Sequence, residues 1–352
     1  MIALCGYFGF ANWGDEAILE AMCRQLESLG VPRYQITVLS GDPAFTEAMH
    51  GTKAVYRYDR RAIVRLLRRG PAVVSGGGSL LQDTTSWRTI PYYLGVLELA
   101  RLFRCPTAVY AQGIGPVHRR LYRRWVGRAF RFVHAGSVRD AASRQCVLQW
   151  GGRPENCELA VDPVYSLSSA SMGAGHRDDR TLLINLRPVA GKEPDMQLWR
   201  KLLTLWQSSG WRITFAALGP GDEEMGARLS AEAELVDLRI RRPENLDEVM
   251  GLFAAHTAAV CMRLHGLLFA AVTGCLPLGI SYDPKVEAAA EQLGIEAVSM
   301  GEVSLLGPQL DALWQHREEN RSALSSRVQQ LKLLEKHNQN VLRSVLQPSG
   351  RR

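Results

Sequence analysis

Short apolar runs alternate with longer amphipathic segments along most of the chain. Residues 2–6, 35–39, 72–75, 106–111, 135–138 and 157–160 are runs too short for helices, and each stops at glycine or at a polar or charged turn. Runs that are apolar throughout predict strands buried on both faces, as in a parallel sheet covered by crossover helices. A helix over 16–29 follows the first of them. Composition then shifts: residues 166–179 (SLSSASMGAGHRDD) are small and polar and read as a linker. The alternation resumes with strand 181–185, helix 196–208, strand 212–217, helix 222–233, strand 258–262, helix 267–272 and strand 277–281. Residues 310–346 form a long charged helical stretch, expected to pack back across both domains. The pattern predicts an α/β protein of two Rossmann-like, doubly wound domains in a GT-B-like arrangement with a central cleft. The expected divisions are 1–165, linker 166–179, 180–303 and a helical tail 304–352. Such a fold does not by itself name a chemistry.

Composition narrows the class. At 352 residues the chain suits two domains rather than one core, and its 46% hydrophobic and 22% charged content is that of a globular protein. No apolar run approaches the roughly 18 residues of a membrane span. The first residues enter a strand at once, so no secretory leader is expected. The seven cysteines form no C-x-x-C pair, and Cys5, Cys23, Cys105, Cys261 and Cys275 sit in or beside apolar segments. That usage suits buried thiols in a reducing cytoplasm. The eight histidines show no metal-ligand spacing, so neither a metal nor another cofactor is expected.

The net charge of +7 is unevenly spread. Residues 118–131 and 57–69 hold six arginines each, with apolar residues at helical spacing. Basic amphipathic helices suit the anionic inner face of a membrane, and equally a solvated face whose arginine stems cover the core. No recognised nucleic-acid motif accompanies them, and no nucleic-acid partner is expected.

The densest candidate chemistry lies at Arg263-Leu264-His265-Gly266 and at Ser281-Tyr282-Asp283-Pro284-Lys285. Arg263 and His265 fall in the turn after one strand, and Lys285 just past the next. In open parallel sheets ligands bind beyond the carboxyl ends of the strands. A lone histidine in an apolar stretch is usually a satisfied core residue. Two cations beside it form a costly cluster unless an anion is present. Other strand ends carry glycine turns: Gly6 to Gly14 with Asp15 and Glu16, Gly76-Gly77-Gly78-Ser79, and Gln112-Gly113-Ile114-Gly115. The first of these fails the dinucleotide spacing. Glu16 is expected to cap the following helix, and Asp15 is a candidate base or sugar-hydroxyl partner.

Together with Asn12, Ser137-Val138-Arg139-Asp140, Ser143, Val161-Asp162-Pro163 and Asn185-Leu186-Arg187-Pro188, these ordered motifs resemble the polysaccharide pyruvyl transferases over roughly residues 1–300. The likeness is greatest to the bacterial type that pyruvylates a secondary cell-wall polymer, associated with S-layer anchoring. One departure is Trp13, where a smaller residue is expected. The resemblance implies transfer of the enolpyruvyl unit of phosphoenolpyruvate to the 4- and 6-hydroxyls of a hexosamine, forming a ketal and releasing phosphate. It implies His265 as acid, Asp15 as base, and Arg263, Lys285, Arg187 and Arg139 on phosphoenolpyruvate. Gly9, Asn12, Gly14, Gly77, Gly78 and Gln112 fall on the acceptor side, in the first domain. Phosphoenolpyruvate is then a co-substrate, the acceptor a lipid-linked glycan, and the enzyme cytoplasmic, held peripherally at the membrane. A nucleotide-sugar glycosyltransferase, with Glu287 on the ribose, and a non-catalytic glycan- or lipid-binding protein remain as alternatives.

Overall fold

A computed structural model of the chain describes residues 1–84, 86–167, 179–189, 191, 193–232 and 238–347. Most of the expected linker, 168–178, lies outside the described residues, as does Ala233 of the expected helix 222–233. The chain divides into two compact units: Met1–Ala11, Asp15–Ser166 and Leu331–Arg352 form the first, Asn12–Gly14 and Leu167–Gln330 the second.

In the first unit the described strands are β1 (Ile2–Phe8), β2 (Ile36–Ser40), β3 (Lys53–Tyr56), β4 (Ala72–Gly76), β5 (Thr107–Gln112), β6 (Ala135–Val138) and β7 (Glu158–Leu159). They form one parallel sheet in the order β3-β2-β1-β4-β5-β6-β7. The second unit has β8 (Thr181–Asn185), β9 (Arg212–Ala216), β10 (Arg239–Arg241), β11 (Ala258–Cys261), β12 (Leu276–Ser281) and β13 (Ala297–Ser299), ordered β10-β9-β8-β11-β12-β13, again parallel. Strand order reverses between β1 and β4 in one sheet and between β8 and β11 in the other. Crossover helices leave these points on opposite faces, which opens a crevice at the carboxyl ends. Two doubly wound α/β domains are what the periodicity predicts. The interior strands β4, β5, β11 and β12 are buried along their whole length, because helices cover both sheet faces.

The two basic segments are helices whose apolar stripes are spent on the core. Helix Arg120–Phe132 buries Tyr122, Val126, Ala129 and Phe130 in the core of the first unit, and helix Arg60–Leu67 buries Ile63, Leu66 and Leu67. Each fully buried large side chain contributes about 1.5–3 kcal/mol. Among the described residues no helix is long and apolar enough to cross a membrane.

Three local expectations need correction. The first helix is Trp13–Ser28 and starts three residues earlier than its apolar pattern suggests, because Trp13 is itself buried. Glu16 therefore lies inside its first turn and does not cap it. Its Oε1 accepts from the backbone N–H of Gly9 at 2.9 Å and of Phe10 at 3.3 Å. The stretch 310–346 is two helices, Leu306–Gln315 and Arg317–Leu346, separated at His316.

Candidate active site

The second sheet gathers most of the expected chemistry. Strands β8, β11 and β12 are neighbours, and Cys261 is level with Asn185 on one side and Gly279 on the other. Arg187, Arg263 and His265, and Lys285 therefore leave adjacent strands on one edge, at the point where strand order reverses. Arg263 does not stand there as an uncompensated cation, as its spacing suggested. Its Nε donates to Asp222 Oδ2 at 2.7 Å and its Nη2 to Asp222 Oδ1 at 2.6 Å. Asp222 is fully buried; it also accepts from Asn185 Nδ2 at 3.1 Å and from the Leu218 N–H at 3.0 Å. The anion that this guanidinium needs is supplied mainly by the protein, and the cluster pins the ends of β8, β9 and β11. Asp222 was invisible as a site residue, since it lies 41 positions from its partner at a helix start.

Arg187 and Lys285 keep more of their charge available. Arg187 Nη1 donates to the Tyr282 hydroxyl at 3.0 Å and its Cζ lies 5.3 Å from that ring's centre. Lys285 Nζ is 5.8 Å from the same ring and 3.5 Å from Asp283 Oδ2. Tyr282 thus lies beside both cations. Asp283 is also the N-cap of helix Pro284–Leu293, accepting from the Lys285 N–H at 3.0 Å, so Asp-Pro-Lys is a helix start that presents Lys285.

His265 lies in the first turn of helix Leu264–Thr273. A β-carbon on Gly14 would stand 2.0 Å from His265 Nδ1, so only glycine lets the imidazole occupy this position. The neighbouring Trp13 N–H donates to the Leu218 carbonyl at 3.0 Å. These contacts explain why Asn12, Trp13 and Gly14 belong to the second unit while flanked by the first.

The first sheet carries its own polar edge. Gly77 has φ +80° and Gly78 φ +77°. A β-carbon on Gly77 would stand 2.1 Å from Ile18 Cγ2, and one on Gly78 3.1 Å from Asp15 Oδ1. The turn after β4 is thus cut to admit helix Trp13–Ser28 and bring the backbone beside Asp15. Gln112, expected on the acceptor, is buried. Its Nε2 donates to the carbonyls of Gly78 at 3.0 Å and Gly113 at 2.8 Å, so it is a strut for that turn. Arg139 donates to Asp162 at 3.2 Å and to Ser79 Oγ at 2.8 Å. It belongs to the first unit, whereas Arg187, Arg263 and Lys285 belong to the second. Asp140 caps helix Ala141–Gln149 by accepting from the Ser143 N–H at 2.6 Å, and Ser143 Oγ accepts from the Ile114 N–H at 2.8 Å. Gly9 is held by Glu16, whose other oxygen lies 3.2 Å from His50 Nε2.

A cavity of about 660 Å³ opens on the second unit beside β12 and β13, with Tyr282, Asp283, Glu287, Glu193 and Asp195 in its wall. Arg187, Arg263, His265 and Lys285 are not among its described lining residues. Glu287 accepts from Ser281 Oγ at 2.7 Å. An acid-rich wall suits hydroxyls better than a multiply charged anion.

Fold and site define a two-unit α/β protein with polar side chains massed where open parallel sheets bind their ligands. The chain belongs to the polysaccharide pyruvyl transferase family, whose model matches residues 12–284, and it is accordingly a transferase. Solved structures share the fold at low identity. Anabaena HepE in complex with UDP-glucose has a TM-score of 0.67 at 11% identity over 98% of this chain and 100% of its own. The UDP-GlcNAc 2-epimerase of Neisseria meningitidis bound to UDP-GlcNAc gives 0.67 at 11%, over 98% and 100%. A glycosyltransferase from Rickettsia africae gives 0.64 at 10%, over 99% of both chains. The comparison with curated proteins finds no match.

Proposed function

We propose that the protein transfers the enolpyruvyl unit of phosphoenolpyruvate to the 4- and 6-hydroxyls of a hexosamine in a cell-wall polysaccharide precursor. The observation that carries this reading is the placement of Arg187, His265 and Lys285 on three adjacent strand ends, with both cations against Tyr282. Phosphoenolpyruvate presents a carboxylate and a phosphate. Arg187 suits the planar carboxylate, Lys285 the phosphate as a point charge, and Arg263 mainly positions the strand ends. His265 donates a proton to the methylene carbon, which leaves an oxocarbenium-like centre for one hydroxyl to attack. The C–O bond to phosphate then breaks and the second hydroxyl closes the ketal. Two hydroxyl protons leave; in the net balance one ends on the new methyl group and one on phosphate. Asp15 is the base for a hydroxyl, and the first unit carries the acceptor, with a lipid-linked glycan as its natural form. The enzyme works in the cytoplasm at the inner membrane face.

Incubation with phosphoenolpyruvate and a hexosamine-bearing acceptor should release phosphate in step with a ketal-bearing product. A second reading, sugar transfer from a nucleotide sugar, is favoured by the carboxylate-lined cavity holding Glu287. Release of nucleoside diphosphate from a nucleotide sugar with the same acceptor, without phosphate release from phosphoenolpyruvate, would replace the first reading by the second.

A further inference from the structure

Among the described residues three arginines are buried: Arg57, Arg139 and Arg263. Arg139 pairs with Asp162 and Arg263 with Asp222, whereas Arg57 pairs with no carboxylate among the described residues. Arg57 is 5% exposed and immediately follows β3. Its side chain makes one hydrogen bond, from Nη2 to the Tyr93 hydroxyl at 3.2 Å, and its buried Nε has no partner. Five rings surround the guanidinium, with Cζ 4.3 Å from the centre of Tyr92, 5.3 Å from Tyr58, 5.5 Å from Phe10 and Tyr93, and 6.0 Å from Tyr7. Rings attract the charge through their faces but do not satisfy the N–H donors, which lie in the guanidinium plane. A buried cation with unmet donors is costly unless an acceptor joins it.

The surrounding surface points to what that acceptor is. Tyr7 is 41% exposed and Tyr58 60% exposed. Tyr7 stacks on Phe10 with centres 4.2 Å apart. Gly41 makes room for this pair, since a β-carbon there would stand 2.5 Å from Phe10 Cζ. The cluster lies past the carboxyl ends of β1, β2 and β3, on the edge that carries Asp15 and the Gly77–Gly78 turn. Exposed, rigid aromatic faces suit the apolar face of a sugar ring. A guanidinium that only fastened its loop to helix Thr89–Leu102 would need neither exposed rings nor unmet donors.

We propose that Arg57, with Tyr7, Phe10 and Tyr58, forms a subsite for an oxyanion-bearing sugar of the acceptor. The phosphate or carboxylate on that sugar accepts from Arg57, and its ring lies against Tyr7 or Tyr58. The proposal rests on the assignment of the acceptor to the first unit, and it names the acceptor as anionic.

Binding without phosphoenolpyruvate tests it. Titration calorimetry or ligand-observed NMR on the full chain would compare N-acetylglucosamine 1-phosphate, glucuronic acid, N-acetylglucosamine and inorganic phosphate. The sugar phosphate or the uronic acid should bind roughly tenfold or more tighter than the neutral sugar or phosphate alone, as one charge-assisted hydrogen bond predicts. Preference between the two tells a lipid-proximal sugar phosphate from a carboxylated glycan unit. Arg57→Met should remove the preference. Should Arg57→Met fail to fold, the surface variants Tyr7→Ala and Tyr58→Ala decide, and each should weaken the anionic sugar but not phosphate. Equal binding of all four probes to the wild type, or unchanged binding by the folded variants, overturns the subsite. A protein that binds the anionic sugar yet releases no phosphate from phosphoenolpyruvate keeps the subsite and loses the transfer reading.

Discussion

Arg263 and Asp222 form a two-point ion pair, with contacts of 2.7 and 2.6 Å, around a carboxylate that is fully buried. The pair ties the end of β11 to the turn after β9, and Asn185 adds β8. Breaking such a pair from one side leaves a buried charge unmet, which costs about 3–5 kcal/mol. Asp222→Ala is therefore expected to destabilise the second unit by that amount. Arg263→Ala should follow it closely, and the double variant should cost less than the sum. Denaturant unfolding of the three variants checks this. Full stability with raised demand for phosphoenolpyruvate in Arg263→Ala would instead make Arg263 primarily a ligand contact.

Lys285 and Arg187 predict the opposite profile. Lys285 is 36% exposed at its side chain, and its 3.5 Å contact with Asp283 is worth little to stability. Lys285→Ala and Arg187→Ala should stay folded, with stability changed by less than about 1 kcal/mol. Each should raise KM for phosphoenolpyruvate roughly tenfold or more, the loss of one charged hydrogen bond. The acceptor KM should hardly move. Separate saturation curves for donor and acceptor make the distinction, and an equal effect on both would remove these residues from the donor site.

Gly14 predicts a purely geometric defect. A methyl group there would meet His265 Nδ1 at 2.0 Å, so Gly14→Ala must displace the imidazole. Misplacing a catalytic group by about 1 Å costs on the order of a hundredfold in rate. Gly14→Ala should lower kcat by that order, and His265→Ala should abolish transfer with the fold retained. Circular dichroism beside product formation is the measurement. Residual activity in a destabilised His265→Ala would return that histidine to a packing role.

The interior of both sheets was legible because buried parallel strands read as continuous apolar runs. Three of the edge strands, β3, β10 and β13, were not, being three or four residues long with β10 exposed throughout and the other two partly exposed. Motif residues were legible as positions but less so as roles. Gln112 and Asp140 stand in motifs at strand ends, where one props a turn and the other caps a helix. Asp222 and Arg57 are hard to single out in the sequence for different reasons. Nothing local announces the long-range partner of Arg263. Arg57 falls in the arginine-rich stretch 57–69, whose helix begins only at Arg60, and the flanking Tyr56 and Tyr58 and the distant Tyr92-Tyr93 pair are the signal that sets it apart.

The arginine-rich helix bears on membrane attachment in a narrower way than its pattern suggested. Its apolar stripe is buried, which leaves exposed Leu121 among Arg119, Arg120, Arg123 and Arg124 on the surface. Attachment would then be electrostatic, about 1 kcal/mol per arginine near an anionic surface, and screened by salt. The protein should sediment with vesicles rich in phosphatidylserine at low salt, release near physiological salt, and ignore neutral vesicles. Changing the four arginines to glutamate should abolish sedimentation and spare activity on a short unlipidated acceptor. Indifference of the wild type to anionic vesicles at low salt would leave this a solvated face.

A buried cluster between the first helix and helix Pro43–His50 predicts a pH dependence of stability. His50 is buried, with Nε2 3.2 Å from Glu16 Oε2 and Nδ1 3.2 Å from Glu20 Oε2. Burial pulls the imidazole down, but hydrogen bonds to Glu16 and Glu20 outweigh it and leave the net pKa raised. Burial likewise pushes Glu20 up, and Arg33, His50 and Arg24 together overturn that and hold it below the usual carboxylate range. The signs follow from linkage. The His50 contribution is complete below the ordinary histidine value of about 6.5 and is lost as pH rises through the raised folded value. The Glu20 contribution is present above the ordinary carboxylate value of about 4.3 and is lost as pH falls through the lowered one. Stability from this cluster should therefore peak between those two ordinary values and decline on the alkaline side through His50. His50→Gln should flatten the alkaline limb, and Glu20→Gln the acid limb. Urea unfolding at intervals from about pH 2 to pH 9 reads both. An alkaline limb unchanged in His50→Gln would mean that the imidazole is neutral between its two carboxylates throughout that range.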